Sequence, residues 1–330
     1  MPKGKVLVTG APGWLGTRFV EKLSENNRDI RCLVLKGIND TYLRKMGAET
    51  VEGNILDPQS LEKLTEGIET VFHMVGIIHT KFFGVNNFLK INTQGTKNIL
   101  ECAIKSGVKR FIFISSNSSV GCNYDRDVLM NEYTVPQPYM KYGRSKLMAE
   151  RAVNEAFIKG RLDTIIFRPC WFYGPGQPAR QTRLMKMIKN GNVPLFGDGS
   201  NLRSMTYIDS VCDALLLAEE KEIARGETYW IADERPYSTL EIYKVIAELL
   251  GVELKTRNIP GFFSDIATAV DWTLQRLRMY HTETHVVGEL NKNITCSMEK
   301  AKKDLGYRPT ISLGEGMRRS VEWAKEQGLL

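Results

Sequence analysis

No stretch of this 330-residue chain approaches the roughly 18 uninterrupted apolar residues of a membrane-spanning helix. The most suggestive segment, residues 262–274, is broken by Ser264, Asp265 and Asp271. It reads as an amphipathic helix packed on its own domain, with peripheral membrane contact as the lesser reading. Near the N-terminus only Val6-Leu7-Val8 forms an apolar run, short of the about 7 to 15 apolar residues of a secretion signal, so no export is expected. Cysteine is sparse. The six residues at 32, 102, 122, 170, 212 and 296 include no CxxC pair, which argues against a zinc framework or a compact disulfide scaffold and suits reduced thiols in a cytoplasm. Helix-turn-helix, zinc-finger and aromatic RNA-binding signatures are missing as well. The formal charge of +7 therefore points to a small anionic ligand, such as a phosphate-bearing cofactor or a nucleotide-linked substrate, and not to nucleic acid.

What is present has the composition of a globular enzyme: 42% hydrophobic and 25% charged residues, enough for one large or two moderate cores. Apolar runs at 5–9, 30–35, 70–74, 110–115 and 163–168 read as strands, and 15–26, 87–106 and 139–159 carry apolar residues at helical spacing between them. This alternation predicts an α/β fold with a doubly wound parallel Rossmann sheet. After Gly176 the pattern loosens into short helical stretches and turn clusters before a terminal helix at 313–327. The expected division is a nucleotide-binding domain over 1–175 and a smaller C-terminal substrate-binding lobe over 176–330, with segments around 205–232 returning to the first.

Thr9-Gly10-Ala11-Pro12-Gly13-Trp14-Leu15-Gly16 follows the first strand at once and opens a helix. In that context Gly10 permits the sharp turn, Gly13 lets the backbone approach a pyrophosphate and Gly16 allows close helix packing, with Trp14 and Leu15 between them on the cofactor. Dinucleotide folds place an acidic residue about 20 positions further on, against the adenine ribose. Here that position is Lys36. A cation would pair with a 2′-phosphate, so NADP(H) is favoured over NAD(H), the latter remaining acceptable.

Tyr142-Gly143-Arg144-Ser145-Lys146 lies in an expected helix, which puts Tyr142 and Lys146 on one face, one turn apart. An ammonium beside a phenol stabilises the phenolate and brings the pair toward acid/base use. Ser115-Ser116-Asn117-Ser118-Ser119 ends the preceding strand, where a hydroxyl can hold a substrate oxygen.

The ordered set of TGxxGxxG, Ser115-Ser116, Tyr142-x-x-x-Lys146 and Arg168-Pro169-Cys170-Trp171-Phe172-Tyr173-Gly174-Pro175-Gly176 resembles the extended short-chain dehydrogenase/reductases, the NAD-dependent epimerase/dehydratase superfamily, over almost the whole chain. The resemblance implies Tyr142 as proton donor and acceptor, Lys146 on the nicotinamide ribose, and Ser116 orienting the substrate oxygen, with Ser115 and Asn117 as alternatives. By position it brings Pro169 and Trp171 near the nicotinamide carboxamide, Asn54 and Ile55 near adenine, and Asn117 and Arg203 to the substrate. An Asp-Glu pair after the hydroxyl residue, needed by the family's dehydratases, is replaced by Asn117-Ser118, which disfavours dehydration. The segment 293–301 lacks the second phosphate-binding arginine of nucleotide-sugar epimerases and is similar to the 3β-hydroxysteroid dehydrogenase and dihydroflavonol reductase members. The expectation is an alcohol/ketone oxidoreductase on an apolar, 3β-hydroxysteroid-like small molecule. A nucleotide-sugar 4-epimerase and a non-catalytic NADP-binding sensor are the alternatives. The same resemblance implies a homodimer through 87–106 and 139–159.

His281 and His285 stand four apart but not in an HExxH order, and no metal is expected. His73, at the end of an apolar strand, reads as a satisfied core or cofactor-edge histidine, with a titrating catalytic role as the lesser reading. Arg180, Arg183, Lys186 and Lys189 read as a solvated helix face, with a positive wall for an anionic substrate as the lesser reading.

Overall fold

The segment Arg110–Ile114, RFIFI, is buried at every position, which is the signature of a strand covered on both faces. The structure, a computed structural model, describes residues 4–330, so Met1, Pro2 and Lys3 of the segment read for a signal lie outside the described residues. Its strands are β1 (Lys5–Thr9), β2 (Ile30–Val34), β3 (Glu49–Glu52), β4 (Ile68–His73), β5 (Arg110–Ile114), β6 (Asp163–Pro169), β7 (Trp171–Tyr173), β8 (Val193–Phe196), β9 (Leu202–Arg203), β10 (Met205–Tyr207), β11 (Thr228–Ile231), β12 (Tyr237–Ser238) and β13 (Thr256–Ile259). The helices are α1 (Trp14–Glu25), α2 (Thr41–Lys45), α3 (Thr96–Lys105), α4 (Met140–Ile158), α5 (Ala179–Lys189), α6 (Ile208–Glu220), α7 (Thr239–Leu250), α8 (Phe262–Arg276), α9 (Thr282–Leu290), α10 (Glu299–Leu305) and α11 (Leu313–Glu326).

Seven strands form one parallel sheet in the order β11-β6-β5-β4-β1-β2-β3. The order reverses between β1 and β4, and ligands of such sheets bind outside the strand ends at that switch point. The amphipathic α1 buries Leu15, Phe19, Val20 and Leu23 and packs on one face of the sheet together with α6. On the other, Ile99, Leu100 and Ala103 of α3 and Ala149, Val153 and Ala156 of α4 join one core with β5. Two strands escape the sequence pattern. At the β3 edge the segment ETVE is polar and only half buried, whereas β11 is the four-residue TYWI, whose Tyr229, Trp230 and Ile231 are fully buried. The remaining strands form two-stranded pairs, β7 with β10, β9 with β12 and β8 with β13.

The helix expected over 87–106 is two structures. Phe88–Gly95 is a π-helix that runs into α3, and Asn92 lies within it. Its side chain is committed to long-range bonds, and the Thr96 hydroxyl takes its carbonyl at 2.7 Å. Widened turns of this kind cluster at functional sites. The second departure is α8. Its polar residues Ser264, Asp271 and Gln275 are buried while its phenylalanines face out, so it does not pack its apolar side on its own domain as its amphipathicity suggests.

One ion pair locks the sheet to the helix that carries YxxxK. Glu150 on α4 accepts from Arg168 Nε at 3.0 Å and Nη2 at 2.7 Å, and the Ser119 hydroxyl donates to the same carboxylate at 2.7 Å. Both charged side chains are almost fully enclosed, at 8% and 2% exposure. Removing one partner strands a buried charge, so Glu150→Ala is expected to cost about 3–5 kcal/mol, read as a fall in the urea midpoint at unchanged m-value.

Candidate active site

The turn after β1 leaves no room for side chains. A Cβ on Gly13 or Gly16 would stand 2.6 Å from the Gly10 carbonyl oxygen, and Gly10 itself adopts φ +95°. Gly13 N–H closes the turn onto the Gly10 carbonyl at 2.8 Å, and the bare start of α1 is left to present its N–H groups. That cradle fits a dinucleotide pyrophosphate. Trp14 donates its indole N–H to the Pro175 carbonyl at 2.7 Å and lies edge-on to Phe172, tying the loop to the strand that passes across the sheet ends. Lys36 is exposed two residues beyond β2. Asn54 spends its side-chain oxygen on Leu56 N–H at 2.9 Å, and Ile55 is sunk in the core against Gly95, so this pair offers backbone rather than side chains to a ligand.

At the end of β5, Ser116 accepts from Ser118 N–H at 3.2 Å and caps a short helical turn. Lys146 is 4% exposed, donates to the Ile114 carbonyl at 2.6 Å and lies 4.5 Å above the Phe113 ring. Burial pushes its amine down to about 7, with the Glu150 charge opposing. Burial raises the Tyr142 phenol, the Ser116 hydroxyl lowers it, and the charges of Glu289 and Arg180 act in opposite senses. Ser116, Tyr142 and Lys146 thus meet on the wall of one cavity of about 370 Å³, which Leu15, Ser115, Asn117, Pro169, Trp171 and Arg203 also line. The Ser115 hydroxyl is buried there with no partner among the described residues. Gly10, Gly13, Trp14 and Gly16 form the turn beside the cavity, whereas Lys36, Asn54 and Ile55 lie outside it.

Asn92 holds the loop after β4 across this site. Its amide group exchanges hydrogen bonds with Ile77 N–H at 2.8 Å and the Ile77 carbonyl at 3.0 Å, and donates to the Ser145 hydroxyl at 3.0 Å. His73 is not part of the cavity. Thr96 gives its own proton to Asn92, so His73 Nε2 donates to Thr96 at 2.9 Å and Nδ1 accepts from Thr9 at 2.7 Å. Burial, reinforced by the charge of Lys146, drives this imidazole down to about 3, which keeps it neutral.

Several groups on the cavity were not foreseen. His285 donates from Nδ1 to Asp271 at 2.7 Å, and Gln275 donates to both oxygens of that buried carboxylate. Burial opposes the charge on His285, but the bond to Asp271 and the negative Glu289 outweigh it and the imidazole is raised overall. His281 is exposed and caps α9, so the two histidines serve separate structural ends. His79 meets the Tyr280 hydroxyl at 2.7 Å and is pushed down to about 4, by burial first and Arg180 second. Arg180, Arg183, Lys186 and Lys189 are all exposed, as a solvated helix face requires, but Arg180 also lines the cavity, with no carboxylate partner among the described residues. A signal for the dyad existed in the polar spacing Ser264, Thr268, Asp271, Gln275, but its pairing with His285 is tertiary.

The model of the 3-beta hydroxysteroid dehydrogenase/isomerase family matches residues 7–260. An uncharacterised protein of Sinorhizobium fredii strain NGR234, y4nL, is 42% identical over 98% of this chain and 96% of its own length. Among solved structures, the UDP-glucose 4-epimerase of Thermotoga maritima with UDP-glucose is 27% identical, with a TM-score of 0.79 over 98% of this chain and 99% of that one. MoeE5 in complex with UDP-glucuronic acid and NAD is 25% identical, with a TM-score of 0.77 over 98% of this chain and 100% of that one. With the parallel sheet and its glycine turn, these matches make the chain an NAD(P)-dependent oxidoreductase of the extended short-chain dehydrogenase/reductase type, belonging to the 3-beta hydroxysteroid dehydrogenase/isomerase family.

Proposed function

We propose that the enzyme interconverts a secondary alcohol and a ketone on an apolar, 3β-hydroxysteroid-like small molecule, with Tyr142 as the general acid/base. The observation that carries this reading is the meeting of Tyr142, Lys146 and Ser116 on one cavity whose other walls include Ile78, Ile114, Trp171, Phe172, Val286 and Leu290. A bound nicotinamide dinucleotide supplies the hydride donor or acceptor. Gly10, Gly13, Trp14, Leu15 and Gly16 would hold its pyrophosphate, the Asn54-Ile55 backbone its adenine, Pro169 and Trp171 its carboxamide, and Lys146 its ribose. Ser116, with Asn117 beside it, orients the substrate oxygen; in oxidation the Tyr142 phenolate takes the hydroxyl proton, and in reduction the phenol returns it. A 2′-phosphate on the adenine ribose would find Lys36, which favours NADP(H) over NAD(H).

In this reading residues 1–175 bind cofactor and 176–330 mainly shape the substrate site, with 205–232 contributing to the sheet. Homodimers form through 87–106 and α4. Six unpaired cysteines suit a reducing cytoplasm. Arg203, on the cavity wall, favours the second reading, a nucleotide-sugar 4-epimerase. Such an epimerase keeps its cofactor through the cycle and binds uridine nucleotides, so nucleotide content after purification and UDP-glucose binding separate the two.

Replacing Tyr142 by Phe is expected to lower kcat by about 10² to 10⁴ while cofactor Kd stays nearly constant, and unchanged turnover of a carbonyl panel would remove Tyr142 from the mechanism. Lys36→Asp should shift the ratio of Kd values toward NAD(H); an unmoved ratio means that Lys36 does not reach the 2′ position. Lys146 loses its proton as pH rises through about 7, so NADH affinity is expected to weaken above that pH in the wild type and to show no such limb in Lys146→Met.

A further inference from the structure

Helix α8 is built with its polarity reversed. Ser264, Thr268, Asp271 and Gln275, at i, i+4, i+7 and i+11, point into the protein. There the Ser264 hydroxyl donates to the Val287 carbonyl at 2.8 Å, Thr268 to the Gly288 carbonyl at 3.0 Å, and Asp271 receives Gln275 and His285. The opposite face carries Phe262, Phe263, Ile266, Val270 and Leu277, each 45% to 63% exposed. Tyr280 N–H donates to the Phe82 carbonyl at 2.7 Å, which brings the exposed Phe82 and Phe83 to the C-terminal end of α8 and extends the patch. Contiguous exposed apolar surface of this kind marks an interaction site.

The charge around the patch selects its occupant. Lys81, Arg276 and Arg278 surround the end where the two segments meet, and none has a carboxylate partner among the described residues. Arg276 lies 4.6 Å over the half-exposed Trp272 ring, and the acidic Asp265 at the other end is offset by Lys292 at 3.7 Å. Phenylalanine and tryptophan on a helix lying beside unpaired cations is the pattern of a segment resting in the headgroup layer of a membrane. A second copy docked about a two-fold axis through the end that carries Lys81, Arg276 and Arg278 would set those cations against their own copies.

We propose that this face, α8 with the Phe82-Phe83 loop, docks on the surface of an anionic lipid bilayer. The apolar residues enter the headgroup boundary, and Lys81, Arg276 and Arg278 pair with lipid phosphates. The binding is independent of which reaction the cavity performs.

Flotation with phosphatidylcholine vesicles, with and without about one third phosphatidylglycerol, tests it on the full chain. The expected result is binding to the anionic vesicles, weakened by high salt. Ile266→Asp and Phe263→Asp should each lower the bound fraction at least about tenfold through lost apolar burial. Lys81→Gln and Arg278→Gln should each lower it about fivefold. These side chains are exposed in the fold, so an unchanged thermal melt shows that loss of binding is not loss of structure. The proposal is overturned by wild-type protein that ignores the anionic vesicles or by variants that float as well as wild type. A lipid-independent dimer that Ile266→Asp splits would also overturn it, by assigning the face to a second copy.

Discussion

The arrangement rests on an ammonium group placed where a sheet would otherwise end in apolar side chains. Lys146 stands against the Ile114 carbonyl and the Phe113 ring at the end of β5, with hardly any water. A cation so placed is costly to desolvate, and the carbonyl, the aromatic face and the more distant Glu150 carboxylate offset only part of that cost, which is why the amine is pushed down to about 7. One turn further along α4, Glu150 is in turn held by Arg168 and Ser119. The strand ends, the turn after β5 and the helix bearing Tyr142 are therefore fixed relative to one another through charge rather than through packing alone.

Around this core the cavity has two chemical characters. The end near Ser116 and Tyr142 offers hydroxyls for one oxygen, and the walls contributed by β7, β9 and α9 are mostly apolar but include Arg203, His285 and Glu289. That mixture is why the family allows both a compact apolar alcohol and a larger charged substrate to be weighed. The apolar reading draws its strength from the aromatic wall of Trp171 and Phe172. Arg203 is already engaged with the Glu289 carbonyl, which leaves Arg180 as the cavity's uncommitted guanidinium.

Much of this could be read from residue order. Buried strands announce themselves as β-branched and aromatic runs, so β1, β2, β4, β5 and β6 were visible to within a residue or two, and the glycine turn and the Tyr142-Lys146 pair act through local spacing that sequence displays directly. Where the signal failed, the cause was tertiary. Edge strand β3 needs little apolar surface, and β11 is too short to stand out from loops. The π-helix carries Asn92, whose bonds to Ile77 and Ser145 are long-range, and periodicity in α8 gives the phase of its stripes without saying which stripe faces inward. The Asp271–His285 pair was hidden for the same reason, since its members sit on two different helices.

The inward stripe of α8 also dictates how the adjoining wall of the cavity can move. Burial of apolar side chains carries no direction of its own, but the bonds from Ser264, Thr268 and Asp271 to α9 have direction and a narrow range of length. They mesh like gear teeth. These bonds resist sliding of one helix along the other, so a displacement of α8 would carry α9 and His285 with it.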